Sequence, residues 1–97
     1  MRNVRFADKA LELLETQDSP EYSDAIIRAF RLRMHSIRAA PDERDFYALK
    51  SLRFEKLQGN RSHQYSMRLN KQYRLILEFD GEGANKTIAI VAIEDYH

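Results

Sequence analysis

The pattern of apolar and polar positions changes period once, near residue 50, and separates a helical half from a stranded half. Arg2 to Phe6 reads as a short first strand. Ala7, Ala10, Leu11 and Leu14 then fall on one stripe, which predicts a helix over residues 7–15. After a turn at Gln17-Asp18, Ser19 as N-cap, Pro20 at the first helical position and Glu21 in the first turn predict the start of a long helix. It runs to about Ala39, ahead of Pro41, which cannot extend it. Its apolar face is Ile26, Phe30, Met34 and Ile37. Pro41-Asp42-Glu43 opens a third, short helix with acids at the positive end of its dipole, carrying Phe46 and Leu49 inward.

Beyond it the spacing is two. Leu52 to Leu57 reads as a strand, and Gln58 to Ser62 as a turn. His63 to Leu69 alternates, with Tyr65, Met67 and Leu69 on one face and Gln64, Ser66 and Arg68 on the other. Tyr73 to Phe79 alternates again, Tyr73, Leu75, Leu77 and Phe79 opposing Arg74, Ile76 and Glu78. After a loop at Asp80 to Lys86, Thr87 to Ile93 is apolar on both parities and reads as a central strand covered on both sides. Helices followed by a mainly antiparallel sheet define an α+β fold.

Composition narrows the class. Ninety-seven residues suit one domain, 1–97, with one modest core. Apolar runs are too short to cross a bilayer, the N-terminus lacks the apolar stretch of a secretory signal, and cysteine is absent. These features point to the cytoplasm and exclude disulfides and thiolate metal sites. The three histidines show no metal-ligand spacing.

Charge changes the picture more. Residues 50–74 hold seven Lys/Arg (Lys50, Arg53, Lys56, Arg61, Arg68, Lys71, Arg74) against Glu55, a net +6, while the remaining residues carry 9 Lys/Arg and 14 Asp/Glu. A basic face of this kind suits a polyanion, or an acidic partner protein. A loop of Asn70-Lys71-Gln72 sets Leu69 opposite Tyr73, Met67 opposite Leu75 and Tyr65 opposite Leu77, and therefore Arg68 opposite Arg74. Like charges paired across strands cost a few tenths of a kcal/mol. An anion bound bidentately between the guanidiniums would relieve that cost, and so would a bridge from Glu55 or Glu78.

Two further features are less specific. The chain ends Glu94-Asp95-Tyr96-His97, offering a histidine that titrates near neutrality and an aromatic ring able to stack on a base. A bland terminal tail has the same composition. Arg28, Arg31, His35 and Arg38 form a basic stripe on the long helix; such a stripe is more often a solvated face, or paired with acids of the first helix, than a second nucleic-acid contact.

Together, Leu52-Arg53-Phe54-Glu55-Lys56-Leu57-Gln58-Gly59-Asn60-Arg61, then Tyr65 to Leu75, then Asp95-Tyr96-His97 resemble the HigB, or plasmid-maintenance killer, branch of the RelE/ParE toxin superfamily. Over residues 1–49 the resemblance rests on the strand-helix-helix order and length. It implies a RelE-like fold, with helices packed on a twisted sheet of four to five strands. It also implies a toxin that enters the A site of the 70S ribosome and cuts mRNA, restrained by a helix-turn-helix antitoxin of HigA type. Cleavage would need no metal or other cofactor: the substrate 2′-hydroxyl attacks, a base takes its proton, an acid serves the leaving 5′-oxygen and a cation holds the phosphate.

Carried onto this chain, the resemblance makes Arg74 the phosphate stabiliser and His97 a proton-transfer residue. Tyr96 would stack on or orient a base, Asp95 would position the terminus, and Arg61 and Arg68 would hold backbone phosphates. The family's His-Pro-Leu-Lys-Gly is Glu55-Lys56-Leu57-Gln58-Gly59 here. Glu55 can still accept a proton, or can simply pair with Arg68 or Arg74; Gln58 can donate a hydrogen bond but cannot neutralise charge. Two other activities fit the same scaffold: a ParE-like poison of DNA gyrase, and a non-toxic RNA-binding module.

Overall fold

A computed structural model describes residue 1 and residues 3–96. The strand predicted over Arg2 to Phe6 is β1 (Asn3–Phe6), with Arg2 outside the described residues. The first helix, α1 (Lys9–Leu14), starts later than expected because the Asp8 side chain accepts from the Ala10 N–H and caps it there. Residues 19–22 form a separate turn, with Ser19 Oγ accepting from Glu21 N–H, so the long helix α2 (Asp24–Ala39) does not begin at Pro20. Its N-cap is Ser23, whose hydroxyl accepts from Ile26 N–H at 3.2 Å. Two serines compete for the same role, and the one at the right distance from the apolar stripe wins.

α2 buries Ile26, Ile27, Phe30, Met34 and Ile37. Its last carbonyls are closed by the N-terminal ammonium, which donates to Ile37, Arg38 and Ala40 oxygens. Desolvation in this position, with Arg38 nearby, holds the ammonium below its ordinary pKa. Helix α3 (Arg44–Ala48) buries Phe46 as expected. Leu49 instead terminates the helix with ψ 89° and is exposed, because the chain turns there before another helical position can face inward.

The expected strand over residues 52–57 is reduced to β2 (Glu55–Lys56). Leu52 lies in a 3-10 turn, Lys50–Leu52, and Arg53 is left-handed at φ 46° and ψ 47°. Leu52 and Phe54 both still reach the core, so a period-two signal is satisfied by a turn rather than by extended backbone. Phe54 stacks on Tyr65 (centroids 5.4 Å, planes 4° apart) and meets Phe46 edge-on at 5.3 Å. That aromatic cluster fixes Phe54 inward and leaves Glu55 facing outward.

A second 3-10 turn, Gly59–Arg61, leads into β3 (Gln64–Arg68), followed by β4 (Tyr73–Asp80) and β5 (Thr87–Asp95). Among the described residues the five strands form one sheet in the order β1-β5-β4-β3-β2. β1 is parallel to β5, and every other pair is antiparallel. The β3–β4 register is the expected one, including Arg68 opposite Arg74.

β5 lies inside the sheet between β1 and β4, but helices cover only one of its faces rather than both as expected, and its double-parity pattern has another cause. Ile76 pairs with Ala92 and Leu77 with Ile90, so Val91 is an extra residue in a bulge. Before the bulge Ile88 and Ile90 face the core; after it Ile93 does, opposite Leu75. Without that switch Glu94 would point into the helices. The core joins Leu11, Leu14, Phe30, Met34 and Ile37 to Met67, Leu75, Leu77, Ile88 and Ile90, all on one side of the sheet. The other side, carrying Glu55, Arg68, Arg74 and Glu94, is where the chemistry collects.

Candidate phosphate-binding face

Register builds this face in rows. Arg68, Arg74 and Glu94 occupy one row across β3, β4 and β5; Glu55, Ser66, Ile76 and Ala92 occupy the next; Gln64 and Glu78 belong to the third. The Arg74 side chain is 14% exposed and is held from several directions. Its Nη1 donates to the Arg53 carbonyl at 3.3 Å, its guanidinium carbon lies 4.4 Å from the Tyr96 ring centroid, and Glu55 Oε1 is 3.9 Å from Nη1. The left-handed turn at Arg53 therefore has a role: it aims a carbonyl at this arginine.

Arg68 lies directly opposite and turns toward the hairpin, its Nε donating to the Asn70 carbonyl. The Asn70 side chain in turn accepts from the N–H groups of Gln72 and Tyr73, which fixes the loop. Glu55 thus approaches Arg74, while Glu78 accepts from Gln64 and approaches His63 instead. Neither acid bridges the two arginines among the described residues.

The remaining candidates separate. Arg61 is engaged: Nη1 and Nη2 donate to the two oxygens of Glu94 at 3.0 and 2.8 Å, and Nε donates to Gln64 Oε1 at 2.9 Å. Holding an RNA phosphate would require it to leave Glu94. Gln58 is exposed before the 3-10 turn, its carbonyl accepting from Arg61 N–H. Asp95 lies opposite Tyr73 in register, on the opposite parity from Arg74, and accepts from Gln72 Nε2 at 3.1 Å. Tyr96 is anchored by its N–H to the Gln72 carbonyl, so Gln72 ties the end of β5 to the hairpin loop. His97 lies outside the described residues.

Three participants escaped the sequence reading. Glu94 reaches this face only through the bulge, and Gln64, on this face by its parity, gains its part through the bond it accepts from Arg61. Arg33 of α2 donates to the Arg68 carbonyl at 2.7 Å; burial, then the Arg68 charge, holds its pKa below the ordinary value. Its position, three residues after Phe30 and four before Ile37, is the available signal, since it puts a cation on the edge of the apolar stripe. Two cations of the basic stripe of α2 engage the first helix and its turn: Arg31 pairs with Asp18 and donates to the Leu14 carbonyl, and Arg38 forks onto Glu15. Ser66 is fully buried in the middle row, and its hydroxyl has no partner among the described residues.

A short helical layer on one side of a five-stranded sheet is a fold shared with solved RelE-like toxins. YoeB of Staphylococcus aureus, in its complex with YefM, matches with a TM-score of 0.62 at 23% identity, covering 100% of this chain and 98% of that one. YafQ from E. coli strain BL21(DE3) matches with a TM-score of 0.63 at 11% identity, covering 98% and 93%. The family of RelE-like toxins of type II toxin-antitoxin systems described as HigB matches residues 4–97, and this chain belongs to it. Toxin HigB-1 of Vibrio cholerae is 35% identical over 85 residues, 84% of this chain and 90% of that protein. Among the described residues no helix is long and apolar enough to cross a membrane.

Proposed function

We propose that this toxin is a ribosome-dependent mRNA endoribonuclease whose scissile phosphate binds at Arg74. The observation carrying this reading is the fixed, largely enclosed Arg74 guanidinium, opposed by Arg68 on the side of the sheet away from the helices, with Tyr96 against it. In the reaction the substrate 2′-oxygen forms a bond to phosphorus and the bond to the 5′-oxygen breaks. Proton removal from the 2′-hydroxyl and delivery to the 5′-oxygen fall to Glu55 and His97, while Arg74 stabilises the charge that builds on the phosphoryl oxygens. Arg68 holds a neighbouring phosphate, and Gln58 offers a hydrogen bond at the entrance.

A partner follows from the same family. YoeB of S. aureus is solved with YefM, and a cognate antitoxin, of the helix-turn-helix HigA type, would restrain this toxin. The test is primer extension on a reporter mRNA, translated or without ribosomes, with wild type, R74A and H97A. Cuts that require translation and vanish in R74A are expected. Intact transcripts during growth arrest, with breaks in DNA, would replace this reading with a gyrase poison.

A further inference from the structure

The cross-strand neighbour of Arg74 on β5 is an acid, Glu94, yet no ion pair joins the two among the described residues. Directly opposed side chains on one face have Cβ atoms about 4.5–5.5 Å apart, within reach for a glutamate and an arginine. A Glu94–Arg74 pair is therefore the default of the register. The carboxylate turns away because Arg61 takes both of its oxygens, and Gln64, anchored to Glu78, holds the Arg61 Nε. From Gln64 in the third row to Glu94 in the first, this bridge crosses the sheet above Ile76, which is 1% exposed although it faces away from the helices.

We propose that Arg61 is a positioning residue: it holds the Glu94 carboxylate off Arg74 so that the Arg74 guanidinium stays open to RNA phosphate. This inference rests on the nuclease reading of the site and adds a specific job for Glu94. Without Arg61, the nearest opposed cation for Glu94 is Arg74. A carboxylate would then occupy the geometry the phosphate needs, because guanidinium accepts the two anions through the same fork. Removing Glu94 as well would release Arg74 again. A direct phosphate contact by Arg61 predicts no such release, since the lost bond cannot be restored by deleting an acid beyond the general gain from removing negative charge.

Single-turnover cleavage of a ribosome-bound reporter mRNA is measured for wild type, R74A, R61Q, R61M, R61K, E94Q and the doubles R61Q/E94Q and R61M/E94Q. R61M keeps the apolar stem, so one misfolded replacement does not decide the result, and melting curves confirm each fold. R61Q is expected to lose about tenfold in rate and R61K less, while the doubles return to within about threefold of wild type. Doubles no faster than their Arg61 singles overturn the proposal. Equal cleavage by wild type and R74A, or none by either, overturns the nuclease reading instead. In that case binding of a fluorescein-labelled single-stranded RNA decides: the affinity gain from E94Q should be at least about threefold larger in the R61Q background than in wild type. Equal gains in both backgrounds would reduce Glu94 to a bystander charge.

Discussion

The Arg74 guanidinium carbon lies 4.4 Å from the centroid of the Tyr96 ring, which joins the start of β4 to the residue just past β5. The ring holds the cation by its π face rather than through its hydroxyl. Y96A should therefore weaken binding of a labelled RNA by about twofold to fivefold, the value of a partly exposed cation–π contact. Y96F should stay within about twofold of wild type. Equal losses in a titration of both variants would move the effect to the hydroxyl.

Arg68 and Arg74 face each other across an antiparallel pair, a local conflict that stability alone would remove. R68Q should raise the free energy of unfolding by about 0.2–0.5 kcal/mol in urea. The same change should weaken RNA binding and lower the slope of log affinity against log salt by about 0.7, one phosphate contact on a single strand. A variant that gains stability with an unchanged salt slope would remove Arg68 from the RNA surface.

Arg53 sits in the left-handed region without being glycine. An L-residue there costs about 1–2 kcal/mol, whereas glycine adds unfolded-state freedom worth about 0.5–1 kcal/mol. The first effect wins, so R53G should be more stable by about 0.5–1 kcal/mol in urea unfolding. The carbonyl that receives Arg74 is retained in that variant, so a loss of stability would mean that the Arg53 side chain itself supports the turn.

The Asp42 carboxyl is held below the usual carboxylate range, first by hydrogen bonds from the Arg44 side chain and then by the Arg44 N–H. A depressed folded pKa gives stability that is present above the unfolded value of about 3.9 and is lost as pH falls through the folded one. Thermal melts should therefore show D42N less stable than wild type at pH 6, with the difference shrinking as pH falls below the unfolded value of about 3.9. A gap that stays constant with pH would assign the effect to helix capping geometry instead of charge.

Local signals served well wherever a single rule acted. The stripe Ile26, Phe30, Met34 and Ile37 and the alternation of β3 and β4 carry their own period, and alternation with a three-residue loop leaves one register. The signals failed where two rules competed. Ser19 and Ser23 both satisfy the N-cap chemistry, and only packing of the stripe against the sheet selects Ser23. Leu52 to Leu57 has strand spacing, yet the turn at Arg53 breaks it because Phe54 is claimed by the aromatic cluster.

At the site the division is similar. From sequence alone, the basic hairpin, the Arg68–Arg74 opposition and the terminal Tyr96 can be read, because each depends on neighbours in the chain or on a hairpin's short-range register. The parity of Glu94, its capture by Arg61 and the approach of the Arg53 carbonyl to Arg74 were decided only by the tertiary structure. Each depends on a bulge or on chain segments about twenty to thirty residues apart in sequence meeting in space, and such contacts leave no periodic trace. What the sequence determines is that this protein presents a cationic sheet face; which of its cations are left open is settled by how the strands and turns pack.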